Sequence, residues 1–261
     1  MRTHFFRNLL ILLFIVGTSG LIAVDLTNTT IYIADDAAEW PPYTFRNRQN
    51  ENEIIGFSID IIDRIFADNN IQYHIDLLPW ARALAELESG HKYKVILNAS
   101  YSSERAEKFL LSDAYYQTTG CYFYSTQKFP NGLNIHKKED LKDYNVGGIF
   151  GYNYSHYGLI NENIDRGAKD YAALIQKLHL GRVEIFLENY EILKGFGWIG
   201  KDYLADSGLG YGTIEDVPPI NFYMLFTKDE VGKVLQKIVN DGLKKLKESG
   251  EYGKLYQKYF E

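Results

Sequence analysis

Twice along this chain, short β-rich runs alternate with stretches of helical periodicity, and that order limits the fold more than any single motif. Ile31-Tyr32-Ile33-Ala34 reads as a strand and Asp35 to Pro42 as a loop. Ser58 is placed to N-cap a helix carrying Ile61, Ile62, Ile65 and Phe66 on one face. Ile71, Tyr73, Ile75 and Leu77 alternate with polar residues at strand period. Pro79 opens a second helix with Leu84 and Leu87 inward and Gly90 as its stop, and Val95-Ile96-Leu97 is a short buried strand. A β-α-β-α-β order implies a mostly parallel sheet covered by helices.

The second cycle starts near Tyr144. Val146 to Ile149 is strand-like and ends at Gly151, Asp170 to Leu178 is helical, and Gly181 breaks into a strand from Val183 to Leu187. Gly120 to Thr126 lies between the cycles and Asn221 to Thr227 after the second, both extended and rich in aromatics. A long amphipathic helix carries Val231, Val234, Leu235, Ile238, Val239 and Leu243, and a short one runs from Tyr252 to Phe260. Two α/β units joined by two extended segments fit 261 residues better than one continuous sheet.

The first 23 residues read as an address. Arg2, His4 and Arg7 precede eight apolar residues, Leu9 to Val16, followed by Gly17-Thr18-Ser19-Gly20. That is the form of a cleaved secretory signal, and the run is too short for a span of roughly 20 residues. Cleavage is expected after Ala23 or Gly20, leaving a soluble periplasmic or otherwise secreted monomer. No cysteine follows the apolar run to accept a lipid. Losing Arg2 and Arg7 moves the net charge from −6 to −8, a balance that argues against a broad nucleic-acid footprint. The lone cysteine, Cys121, excludes an internal disulfide and a Cys-rich metal site, and its strand-like setting reads as a buried thiol.

Catalytic signatures are missing: no Gly-x-Ser-x-Gly, no phosphate loop, no His-Glu-x-x-His and no Asp-rich calcium loop. The six histidines are scattered, so no metal or cofactor is expected. Gly147-Gly148-Ile149-Phe150-Gly151 could offer backbone N–H groups to an anion. The informative polar residues sit where open α/β sheets bind ligands, beyond the carboxyl ends of strands. Those positions hold Glu39 and Trp40, Trp80 and Arg82, and Asn98, Ser100 and Arg105 in the first unit. In the second they hold Tyr152, Asn153, Glu188 and Asn189.

With these residues in hand, the chain resembles the bacterial extracellular solute-binding proteins of family 3, the type II periplasmic binding proteins for polar amino acids and related solutes. The likeness is carried by Trp40-Pro41-Pro42-Tyr43-Thr44-Phe45, Gly56-Phe57-Ser58-Ile59-Asp60-Ile61 and Pro79-Trp80-Ala81-Arg82-Ala83-Leu84. Ser103-Glu104-Arg105 leading to Leu111-Ser112-Asp113-Ala114-Tyr115-Tyr116, and the ending Leu246 to Phe260, add to it. The resemblance implies two lobes, 24–120 with 220–261 and an inserted 121–219, crossing near Gly120–Ser125 and Pro219–Phe226. It implies that Arg105 forks onto a ligand carboxylate, that Trp40 and Trp80 sandwich the ligand body, and that Asn98 and Ser100 bond its head group. Tyr152 and Asn153 would add contacts from the second lobe. Asn189 stands where such binders carry an Asp for the α-ammonium, so Glu188 or Glu39 would have to supply the charge.

Three functions are compatible with this reading. The first is capture of a small polar or carboxylated solute, an amino acid or a relative of one, for a membrane permease of an ABC transporter. The second is an enzyme on the same scaffold resembling cyclohexadienyl dehydratase. The third is a ligand sensor acting on a receptor in trans. The first is preferred, without catalytic residues.

Overall fold

The structure, a computed structural model, describes residues 24–260, so the signal-like segment 1–23 lies outside the described residues. The first unit runs β1 (Thr30–Asp36), the hairpin β2 (Phe45–Asn47) and β3 (Asn50–Ile55), α1 (Phe57–Asp68), β4 (Gln72–Leu78), α2 (Trp80–Ser89) and β5 (Tyr93–Ser100). It continues through α3 (Ser103–Lys108), β6 (Leu110–Leu111) and β7 (Tyr116–Thr118). The second runs β8 (Gly120–Ser125), β9 (Val146–Ile149), β10 (Ile164–Ala168), α4 (Tyr171–His179), β11 (Ile185–Asn189), α5 (Tyr190–Trp198) and β12 (Leu209–Thr213). The chain closes with β13 (Ile220–Phe226), α6 (Glu230–Glu248) and α7 (Glu251–Phe260).

Two sheets result. The first has the order β4-β1-β5-β13-β6 with β7 also on β13, and the second has the order β10-β9-β11-β8-β12. Pairings made through a crossover helix or loop are parallel: β1 with β4 and β5, and β9 with β10 and β11. Those made by the extended runs are antiparallel: β8 on β11 and β12, β13 on β5, β6 and β7. The sheets are therefore mixed.

The two aromatic-rich runs are sheet members along their length, because an extended apolar run buried without a ladder would leave its backbone polar groups unpaired. The chain changes sheets over shorter stretches. β7 ends at Thr118 and β8 begins at Gly120, and the return occupies residues 214–219.

Helix ends follow local chemistry. α2 starts after Pro79 and stops at Gly90, which is left-handed (φ 64°). Asp170 caps α4 by accepting from the Ala173 N–H at 2.8 Å. Ser58 does not cap α1. The cap position is Gly56 at φ 136°, where any Cβ would stand 2.2 Å from the Tyr43 carbonyl oxygen. Ser58 is two residues further in, and its hydroxyl donates to Asn98 Oδ1 at 2.7 Å.

Much of the aromatic content, 39 of 261 residues, is core. Tyr43, Tyr116 and Phe222 stack in a column at 3.7 and 4.9 Å between ring centres. Phe57 of α1 meets Tyr252, Tyr259 and Phe260 of α7, docking the C-terminal helix on the first unit. In the second sheet Phe123 stacks on Phe186 at 4.9 Å. Cys121 is buried in β8, and burial pushes its thiol up to about 12. Among the described residues no helix is long and apolar enough to cross a membrane.

Candidate functional site

The carboxyl ends of β1, β5 and β11 and the loop after β9 converge on one small cleft between the sheets. Nine of the residues expected from the sequence line it: Trp40, Trp80, Asn98, Ser100, Arg105, Tyr152, Asn153, Glu188 and Asn189. Glu39 and Arg82 do not. Glu39 is buried with φ 68°, its carboxylate accepting from the Arg46 N–H at 2.8 Å and from Arg48 Nη2 at 2.6 Å, so it ties its own loop together. Arg82 is exposed and pairs with Glu86. Two residues along a helix is more than half a turn, so burying Trp80 turns Arg82 away.

Arg105 sits in α3 behind the Ser102 cap and is 7% exposed. Its Nη1 donates to the Ser100 carbonyl at 2.8 Å and to Ser100 Oγ at 3.2 Å, and its guanidinium lies 5.4 Å from the Trp80 ring centre. Burial lowers its pKa to about 10, leaving it charged at neutral pH. Asn98 lines the cleft, yet its amide is occupied internally. Oδ1 accepts from Ser58, Tyr115 and Tyr116, while Nδ2 donates to Asp35 Oδ2 at 2.5 Å and Thr44 Oγ1 at 2.8 Å. A side-chain amide has two donor hydrogens and two lone pairs, so nothing remains for a solute. What Asn98 does is hold the Asp35 carboxyl in place.

Asp35 and Asp36, missed from the sequence because β1 runs two residues beyond the apolar stretch, bring two buried carboxyls to the cleft. Burial is the main cause that raises Asp35 to about 7 and Asp36 to about 6. Glu188, at the end of β11, is likewise raised to about 7 by burial. Its Oε1 accepts from both the backbone N–H and the side-chain amide of Asn189, each at 2.8 Å. Asn189 Oδ1 accepts in turn from Thr118 Oγ1 of the first sheet at 2.7 Å. The uncharged residue at 189 thus orients an acidic neighbour.

Tyr154, His156, Tyr157 and Phe222 also line the cleft and were not anticipated; the first three follow Gly151 in a stretch with no periodicity to read. Burial, reinforced by Arg105 and Lys138, pushes His156 down to about 3 and keeps it neutral. The glycines of β9 serve packing. Gly148 leaves room for the Tyr154 ring, whose hydroxyl takes the Ile149 N–H at 2.7 Å, so the run is not an anion cradle.

Buried polar groups without partners are uncommon in proteins and call for a reason. Among the described residues six buried side-chain atoms have none. Five belong to residues lining this cleft: Asp35 Oδ1, Trp80 Nε1, His156 Nδ1, Tyr157 Oη and Glu188 Oε2. Donors and acceptors without partners therefore belong to residues around one small space walled by indole and phenol rings. Among the described residues no three His, Cys, Asp or Glu side chains group to hold a metal.

A family profile described as bacterial extracellular solute-binding proteins, family 3, matches residues 33–261. The "Probable histidine-binding protein" of Neisseria gonorrhoeae is 24% identical over 88% of this chain and 83% of its own. The "Arginine-binding periplasmic protein" of Mannheimia haemolytica is 25% identical over 84% and 87%. Among solved structures, the substrate-binding protein of an amino acid ABC transporter superposes with a TM-score of 0.71 at 22% identity, covering 88% of this chain and 99% of that one.

Proposed function

Because the chain belongs to the bacterial extracellular solute-binding proteins of family 3, we propose that it closes around a small solute bearing both a carboxylate and a cationic group, and delivers it to a membrane permease. The two lobes are residues 24–118 with 220–260, and residues 120–213, articulating at Thr119 and at 214–219. The observation that carries the reading is the set of five unpartnered buried atoms around one cleft that also holds Arg105. Arg105, the Trp80 indole N–H and the Tyr157 hydroxyl are donors for a carboxylate. Asp35, Asp36 and Glu188 are acceptors for an ammonium or guanidinium. Three acids against one guanidinium favour a solute that brings positive charge, and relatives named for histidine and arginine agree with that.

The test is calorimetry across amino acids, simple amines and simple carboxylates. Amino acids should bind near micromolar, about −8 kcal/mol, and compounds lacking either charge at least tenfold more weakly. A monocarboxylate binding as well as the best amino acid would refute the paired-charge assignment.

A second reading has one observation behind it: Glu188, raised to about 7, lies in the range of a general acid. The chain is read as a binder, so prephenate and arogenate should survive incubation unchanged; their turnover would favour the dehydratase-like alternative.

A further inference from the structure

The aromatic slot between Trp40 and Trp80 holds a ring of the protein's own. Tyr152, from the loop after β9, stands edge-on to Trp40 with centres 5.7 Å apart at 74°, and edge-on to Trp80 at 6.4 Å and 81°. Its hydroxyl donates to Asp36 Oδ2 at 2.6 Å, and the Tyr171 hydroxyl is 3.4 Å away. The loop is fixed on both sides of the ring. Gly151 has φ 86° and lies so close to the start of α2 that a Cβ would be 3.1 Å from the Ala81 nitrogen. Asn153 Nδ2 donates to Ser100 Oγ at 3.1 Å and to the Tyr101 carbonyl at 2.7 Å. A ring held by its neighbours and anchored at its polar tip is a wall, and part of the cleft that a solute side chain would enter is filled by it.

We propose that Tyr152 sets the size of solute this protein accepts: its phenol takes the slot between Trp40 and Trp80 and one carboxylate, Asp36, leaving Arg105, Asp35 and Glu188 to a compact zwitterion. This rests on the solute-binding reading above and narrows it. A solute with a short side chain needs only the remaining space. One with a ring or a guanidinium at the end of a long side chain competes with the Tyr152 ring for the slot and with its hydroxyl for Asp36.

The test compares wild type, Tyr152→Phe and Tyr152→Ala by calorimetry with alanine, serine, histidine, phenylalanine and arginine, and by thermal shift with p-cresol, the side chain that Tyr152→Ala removes. Wild type and Tyr152→Phe should prefer the short side chains. Tyr152→Ala should shift the preference at least tenfold toward the long ones, and p-cresol should raise its melting temperature alone. Equal acceptance of long and short side chains by wild type, or an unchanged ranking in Tyr152→Ala, overturns the proposal while leaving solute binding intact. Protection of Tyr152→Ala by p-cresol with no amino acid binding to any of the three supports the slot assignment and overturns the solute reading instead.

Discussion

Glu188 Oε1 receives two hydrogen bonds from a single neighbour, the backbone and side-chain amides of Asn189, at 2.8 Å each. Its other oxygen, Oε2, is buried and unpartnered. The uncharged residue at 189 therefore orients an acid, and the cleft keeps that acid where the resemblance pointed to Asp at the next position.

That acid and its companions make stability and binding depend on pH in opposite senses. Asp35 and Glu188 are raised to about 7 and Asp36 to about 6, each mainly by burial. Between roughly pH 4 and 7 the folded state holds protons that the unfolded chain has released. Their stabilising contribution is complete below the ordinary carboxylate range and lost as pH rises to 7. Surface acids such as Asp165 and Asp229, lowered in the folded state, work the other way, so a difference measurement isolates the effect. Relative to Glu188→Gln, unliganded wild type should lose on the order of 3 kcal/mol between about pH 4.5 and 8. Denaturant titrations at each pH read this, and parallel curves for the two proteins would contradict it. Affinity for a cationic solute should rise over the same interval.

Arg105 should govern affinity rather than folding. Arg105→Ala removes charge-assisted hydrogen bonds worth about 1.5–3 kcal/mol, so calorimetry should show a roughly 10- to 200-fold weaker amino-acid complex. Arg105→Lys should recover little, since an ammonium cannot reproduce the planar fork. Unchanged affinity in both variants would remove Arg105 from the site.

Asn98 should behave in reverse. It joins Ser58, Tyr115, Tyr116, Thr44 and Asp35 in one buried network. Asn98→Ala strands several of those partners at about 1–3 kcal/mol each, so unfolding should cost at least about 3 kcal/mol less. A melting temperature equal to wild type would show that the network relaxes around the gap.

Glu39 and Arg82 lie apart from the residues that line the cleft. Glu39→Ala releases the Arg46 and Arg48 contacts and should lower stability by about 1–2 kcal/mol, with solute affinity within twofold of wild type. Arg82→Ala touches only an exposed pair and should change stability by less than about 0.5 kcal/mol. A tenfold loss of affinity in either would return that residue to the cleft.

The sequence makes the strand-end positions legible because period and punctuation locate them: Trp80 after Pro79, Ser100 and Arg105 after the β5 apolar run, Glu188 after that of β11. It hides what depends on burial. Asp35 and Asp36 read as a loop because two adjacent acids break the apolar pattern of β1, and only the packing above them shows that both are enclosed. Asn98 reads as a ligand contact because a strand-end amide is indistinguishable, in sequence, from one saturated by three hydroxyls. Tyr154 caps, and His156 and Tyr157 lie in, a 3-10 turn whose short course carries no periodic signal.

The seclusion of Cys121 in β8 has a practical side. With the only thiol of the chain sealed in a sheet and held protonated, a cysteine introduced on the surface is the sole reactive sulfur. Fluorophores placed as a pair, one on each sheet, would then report separation between them, without deleting a native residue first.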